Sequence, residues 1–169
     1  MTPHPKLRVI IMGVSGCGKS SVGEAVSAAT GVLYIDGDDL HPPANVEKMR
    51  AGIPLTDDHR WPWLDQVAAT LHDTAPVMVG CSALKRAYRD RIRAGAGGPV
   101  RFVHLAGARD VIAARMSRRD GHYMPLSLLD SQYAALEAPG TDEALTIDID
   151  QPLDAIVTRI LHELEGGPR

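Results

Sequence analysis

The stretch Gly13-Val14-Ser15-Gly16-Cys17-Gly18-Lys19-Ser20 decides the reading of this chain. It fits the pattern G-x-x-x-x-G-K-[ST], and it sits where that pattern carries meaning, between a strand and a helix. Leu7 to Met12, apolar apart from Arg8, precedes it, and Val22, Ala25, Val26 and Ala29 follow at helical spacing. Glycines let backbone N–H groups converge on phosphate oxygens, and the N-terminus of the following helix adds the positive end of its dipole. Gly13, Val14, Ser15, Gly16, Cys17, Gly18, Lys19, Ser20 and Ser21 are therefore the expected nucleotide-binding residues. Lys19 is expected to reach the β- and γ-phosphates of ATP, and Ser20 to bind Mg²⁺.

Outward from this loop the same alternation repeats. Val32 to Ile35, Val77 to Val79, Val100 to Leu105 and Ala144 to Ile149 read as further strands. Ala44 to Arg50, Leu64 to His72, Lys85 to Arg93, Asp110 to Arg119, Leu126 to Leu136 and Leu153 to Leu164 read as helices. Continuous apolar strands alternating with helices predict an α/β fold, a parallel five-stranded sheet covered by helices on both faces. The length of 169 residues suits a single domain over 1–169.

Composition narrows the partners. The net charge of -3 gives no global field for a nucleic-acid backbone, and 4% aromatics leave little for base stacking. No apolar run approaches the roughly 20 residues of a membrane span, so a soluble, cytoplasmic protein with no membrane partner is expected. Two cysteines, Cys17 and Cys81, make neither a disulfide framework nor a zinc set. Both fall near the nucleotide, which raises the expectation that their oxidation or alkylation blocks the site.

A phosphate loop names the nucleotide and not the reaction. A guanine-reading N-K-x-D element is missing, and the third strand ends in Gly80-Cys81-Ser82 without an acid for the metal. Carboxylates follow the second strand instead, in Asp36-Gly37-Asp38-Asp39. The C-terminal ends of parallel strands line one crevice, so these acids face the loop. Asp38 is the expected group that accepts or orients the proton of an acceptor hydroxyl, with Asp36 in the Mg²⁺ water shell. Asp39 reads as a helix-capping residue.

The chain resembles the gluconokinases (gluconate kinases), within the shikimate-kinase-like P-loop kinases. The resemblance runs through Met12 to Ser20, Asp36-Gly-Asp-Asp-Leu-His-Pro-Pro-Ala-Asn45, Lys48-Met49, Gly52 to Asp58, Arg60-Trp-Pro-Trp-Leu64 and Cys81-Ser-Ala-Leu-Lys85 with Tyr88-Arg89. It continues through Arg119-Asp-Gly-His-Tyr-Met-Pro125, Ser131-Gln132 and Asp148 to Leu153. It implies phosphorylation of D-gluconate to 6-phospho-D-gluconate by ATP and Mg²⁺, a homodimer, and a small mobile lid at about 117–127. A carboxylate bearing five hydroxyls needs a few cations and many hydrogen-bonding groups. Arg60, Lys85 and Arg86 are candidate cations, and Asp38, His41 and Ser82 candidate hydroxyl readers. The resemblance further implies Arg115 near the adenine, Arg119 swinging from the lid onto the transferred phosphate, and Gln151-Pro152 bordering the base. His122 and Gln132 stand as substrate contacts or as local hydrogen-bonding groups. Trp63 reads as core, and Trp61 as pocket wall or core. The rival readings are another small-molecule kinase of the same group and a regulatory module that binds ATP without transferring phosphate.

Overall fold

The computed structural model describes residues 6–117 and 126–165. The elements run β1 (Arg8–Met12), α1 (Lys19–Thr30), β2 (Leu33–Asp36), a 3-10 turn (Gly37–Leu40), α2 (Pro43–Arg50), α3 (Asp57–Thr74), β3 (Val77–Gly80), α4 (Arg86–Gly95), β4 (Arg101–Ala106), α5 (Arg109–Ser117), α6 (Leu126–Ala135), β5 (Ala144–Asp148) and α7 (Leu153–Glu165). The five strands form one parallel sheet in the order β2-β3-β1-β4-β5. Among the described residues no helix is long and apolar enough to cross a membrane.

Side chains on a strand alternate between faces, and β1 uses both. Val9 and Ile11 pack with Val22 and Val26 of α1 and with Ile156 and Ile160 of α7. Ile10 and Met12 pack on the other face with Trp63, Leu64 and Val67 of α3 and with Tyr88 and Ile92 of α4. Helices on both faces make three layers, as the continuous apolar strands predicted. The registers Ile11↔Gly80 and Asp36↔Gly80 bring β1, β2 and β3 to their C-terminal ends at one level. The phosphate loop, the acidic turn and the segment after β3 therefore leave the sheet side by side.

Helix α3 begins well before the expected Leu64. Thr56 caps it by accepting from the His59 amide at 3.4 Å, and the Thr56 amide donates to His59 Nδ1 at 3.1 Å. This reciprocal cap closes the first turn despite Pro62, which carries no N–H for the helix ladder. The added N-terminal turns matter, because they carry Asp57 and Arg60.

The segment after β3 is pinned by Arg89 of α4, which is 1% exposed. Arg89 donates to the carbonyls of Ala83 (2.8 Å), Leu84 (3.2 Å) and Glu137 (2.8 Å), and pairs with Glu143 at 2.6 Å. Glu143, its side chain 4% exposed, also takes Arg93 at 2.9 Å. Removing one partner of a buried pair strands the other charge. Glu143→Ala is expected to cost about 3–5 kcal/mol of unfolding free energy, measured by denaturant unfolding. On β4, His104 is buried with Nδ1 unpartnered among the described residues, and burial and then the Arg89 charge lower its pKa. A depressed histidine stabilises the fold above its unfolded value of about 6.5 and loses that contribution as pH falls. The melting temperature is expected to drop between about pH 7 and 5, and His104→Met to lessen the drop, the remainder coming in part from His41, whose pKa is lowered as well.

Candidate active site

The phosphate loop takes its shape from glycine geometry. Gly13, Gly16 and Gly18 have φ of 148°, 84° and 97°, a region that side chains disfavour. A Cβ on Gly13 would lie 2.7 Å from Cys17 Sγ and 2.8 Å from the Leu105 carbonyl oxygen. Lys19 folds back over the loop and donates to the carbonyls of Gly13 at 2.9 Å and Val14 at 3.1 Å. Both cysteines are free and buried, and burial pushes the Cys81 thiol up to about 12. Burial disfavours the Cys81 thiolate, which works against the expected reactivity at that position.

The acidic turn abuts this loop. Asp36 accepts from the Asp38 amide at 3.0 Å, closing the 3-10 turn, and its other oxygen lies 3.5 Å from Ser20 Oγ. Asp38 is held above the usual carboxylate range by burial and then by Asp36, against the opposing pull of Lys19. Close packing sets the approach. A Cβ on Gly37 would collide with the Gly80 carbonyl oxygen, and one on Gly23 or Gly80 with Tyr34. Burial pushes the Tyr34 hydroxyl up to about 12, so it stays neutral between these acids and Ser20.

Asp36 and Ser20 are hard oxygen donors, which suits Mg²⁺. Among the described residues no group of three or more His, Cys, Asp or Glu is arranged for a metal. Mg²⁺ is commonly held by one or two protein oxygens plus substrate phosphates.

Beyond the turn, His41 stacks on Trp63 with ring centroids 4.1 Å apart and planes 13° from parallel. The Trp63 indole donates to the Gly37 carbonyl at 2.8 Å, so the core residue expected from the sequence also braces the acidic turn. Asn45 Nδ2 lies 2.8 Å from the His59 carbonyl and 3.2 Å from His41 Nδ1. Burial and then the Arg60 charge lower the His41 pKa to about 4.

Arg60 and Lys85 meet at Asp57, 28 residues from Lys85 in sequence. Lys85 donates to Asp57 at 3.3 Å, Arg60 lies 3.9 Å from the same oxygen, and Tyr88 donates its hydroxyl to it while accepting from Arg60 at 3.1 Å. The Tyr88 hydrogen bond, with Lys85 behind it, holds Asp57 below the ordinary carboxylate range. Trp61 stands edge-on to Tyr88 at 5.7 Å, with the Arg91 guanidinium 5.6 Å from its own ring, which makes it a wall of this cluster. The sequence reading missed Asp57, Tyr88 and Asn45, although all three lie in the motif blocks. The Thr56 cap and the i,i+3 spacing of Asp57 and Arg60 were the available signals.

A cavity of about 410 Å³ opens on the other side of the loop, lined by Gly16, Cys17, Gly18, Ser21, Arg115 and Gln151 among others. Of the residues expected around the base it gathers Arg115 and Gln151, while Pro152 is not part of its lining. Arg115 donates to the Ile149 carbonyl and Gln151 to that of Asp148 at 2.6 Å, while the Pro152 carbonyl starts α7. Gln132 pairs twice with Ser15, accepting from its amide at 2.7 Å and donating to its hydroxyl at 2.9 Å. It is thus brought to the phosphate loop and not to the His41 side. Ser82 stands beside the loop, its carbonyl accepting from the Gly13 amide at 3.3 Å. Arg86 is not brought together with Arg60 and Lys85. It lies 3.4 Å from Asp90 and 3.5 Å from Glu143, where the strand-end segment meets 137–143. Arg119, His122 and residues 118–125 of the expected lid fall outside the described residues.

Comparison with known proteins bears on this geometry. Residues 9–139 match the AAA domain family. The chain is 41% identical to the thermoresistant gluconokinase of Escherichia coli over 98% of each chain. It is 50% identical to a gluconokinase of Sinorhizobium meliloti, whose crystal structure superposes with a TM-score of 0.88 over 96% of this chain and 93% of that one. A shikimate kinase of Aquifex aeolicus shares the fold, with a TM-score of 0.63 at 15% identity over 95% and 97% of the two chains. With its phosphate loop, its acidic turn and near-complete coverage by these relatives, the chain belongs to the gluconokinase family.

Proposed function

We propose that this chain transfers the terminal phosphate of ATP to D-gluconate, giving ADP and 6-phospho-D-gluconate. The observation that carries the reading is the continuity of the site. Ser20 of the loop lies 3.5 Å from Asp36, the His41 amide meets the Asp38 carbonyl at 3.4 Å, His41 stacks on Trp63, and the helix of Trp63 carries Arg60, which meets Lys85 at Asp57. An anionic polyol of one carboxylate and several hydroxyls matches that order.

In the proposed mechanism the loop amides and Lys19 hold the β- and γ-phosphates, and Arg115 and Gln151 border the base. Ser20 and Asp36 would hold Mg²⁺, which when bound neutralises charge between the β- and γ-phosphates. Arg60 and Lys85 clamp the carboxylate of the sugar acid, and His41 and Ser82 read its hydroxyls. Asp38 accepts or orients the proton of the terminal hydroxyl as it attacks in line. Little covalent chemistry is asked of the protein, so positioning and charge stabilisation do most of the work. Arg119 of the lid supplies further charge to the transferred phosphate, and His122 remains a substrate contact in this reading. The free cysteines favour a reducing, cytoplasmic setting, and the family resemblance favours a homodimer.

A coupled ADP-release assay over gluconate, shikimate, other sugar acids and nucleoside monophosphates tests the reading. Turnover with gluconate well above the rest is the expected result; ATP binding without acceptor-dependent ADP release would instead make the chain a regulatory module. Asp38→Asn is expected to lower kcat by about 10² to 10⁴, and an unchanged kcat removes the base role. Arg60→Ala or Lys85→Ala is expected to raise KM for gluconate about 10- to 100-fold with KM for ATP unchanged, since each removes a charge-assisted bond to the carboxylate.

A further inference from the structure

Asn45 is 4% exposed on α2. Its amide makes two contacts that together carry chemical information. A backbone carbonyl can only accept, so the group 2.8 Å from the His59 oxygen must be the NH₂ of Asn45. The same nitrogen lies 3.2 Å from His41 Nδ1. A nitrogen facing an NH₂ donor must present its lone pair, so Nδ1 of His41 carries no hydrogen, and in the neutral ring the hydrogen belongs to Nε2.

One contact to the ring and two to its supports fix it in place. Trp63 stacks on it, and the Trp63 indole is tied to the carbonyl of Gly37, the first residue of the turn that carries Asp38. The His41 amide closes that turn on the Asp38 carbonyl at 3.4 Å. Protonation of Nδ1 would set donor against donor at Asn45, and burial and the nearby Arg60 guanidinium oppose it as well. The neighbouring His59 ring is occupied in the Thr56 cap.

We propose that Asn45 is a positioning residue for acceptor recognition: it holds His41 as the Nε2–H tautomer, so that His41 acts as a hydrogen-bond donor to a hydroxyl of the polyol. The inference rests on the proposed phosphorylation of a polyhydroxy acid for the identity of the hydroxyl, and on the structure alone for the tautomer. A donor of fixed direction selects a hydroxyl oxygen by its lone pair. The competing Nδ1–H form would offer an acceptor from Nε2 and reverse the polarity of that contact.

Nitrogen NMR of protein labelled at histidine reads the tautomer directly, with the His41 signals assigned by their loss in His41→Asn. The expected spectrum near pH 7 has a pyrrole-type Nε2 and a pyridine-type Nδ1; an Nδ1–H form or an imidazolium overturns the proposal. Asn45→Asp puts a carboxylate, an acceptor, where the NH₂ stood, and is expected to move the hydrogen to Nδ1. With it KM for gluconate should rise about tenfold, with kcat within about threefold and KM for ATP unchanged. A flipped tautomer with unchanged KM for the acceptor overturns the recognition role. If Asn45→Asp does not fold, the spectrum of the unaltered protein still decides the tautomer. If gluconate is not the acceptor, the proposed function fails on the ADP-release assay, and the same KM ratio is read with the acceptor that assay identifies.

Discussion

Three backbone positions without side chains govern how this site is assembled. Tyr34 lies across Gly23 of α1 and Gly80 of β3, and Gly37 sits against the Gly80 carbonyl. Each contact is closer than any Cβ allows, so the first helix, the second strand and the third strand approach one another only because those positions are bare. The result is that Ser20, Asp36 and Ser82, which belong to three separate segments, border one crevice. A larger residue at any of the three would push the acidic turn away from the phosphate loop without touching a catalytic group. The constraint therefore acts on function through distance and not through chemistry.

The cation cluster has a different logic. Arg60 and Lys85 are both turned toward Asp57, whose carboxylate also takes the Tyr88 hydroxyl. Two half-buried cations alone would repel each other and sample several rotamers. A shared anion holds them at a common point, so less ordering remains when a second carboxylate arrives. Surface ion pairs contribute little to stability, and the value of this one lies in orientation. By contrast the Arg89–Glu143 pair is sealed from water and serves the chain itself, fixing the segment from which Ser82 and Lys85 project.

The phosphate loop and the layer order were legible in the sequence because both are local. One is a contiguous pattern, and the other is a run of apolar residues read at a period of two or 3.6. Asp36 and Asp38 were legible because strand ends in a parallel sheet converge. What escaped was pairing across distance. Tyr88 finds Asp57 from 31 residues away, and Gln132 finds Ser15 from 117, separations that no spacing rule encodes. Arg86 was grouped with its neighbour Lys85, yet it opens α4 and its guanidinium meets Glu143. Adjacent residues at a helix start point in different directions, and the sequence does not say which carboxylate each will meet. The early start of α3 escaped because Pro62 and the polar run before it mask a reciprocal cap.

Lys19 spends its hydrogen bonds on the loop that it serves, on the carbonyls of Gly13 and Val14. The ammonium has three N–H donors; the carbonyls take two, and among the described residues the third has only the Cys17 sulfur at 3.9 Å, a place that a phosphate oxygen can take. The two carbonyl bonds hold the curvature of the loop, and a preorganised loop lowers the ordering cost of binding. A neutral ligand of the same shape would leave the ammonium charge without a counter-charge, so charge itself becomes the key to the loop.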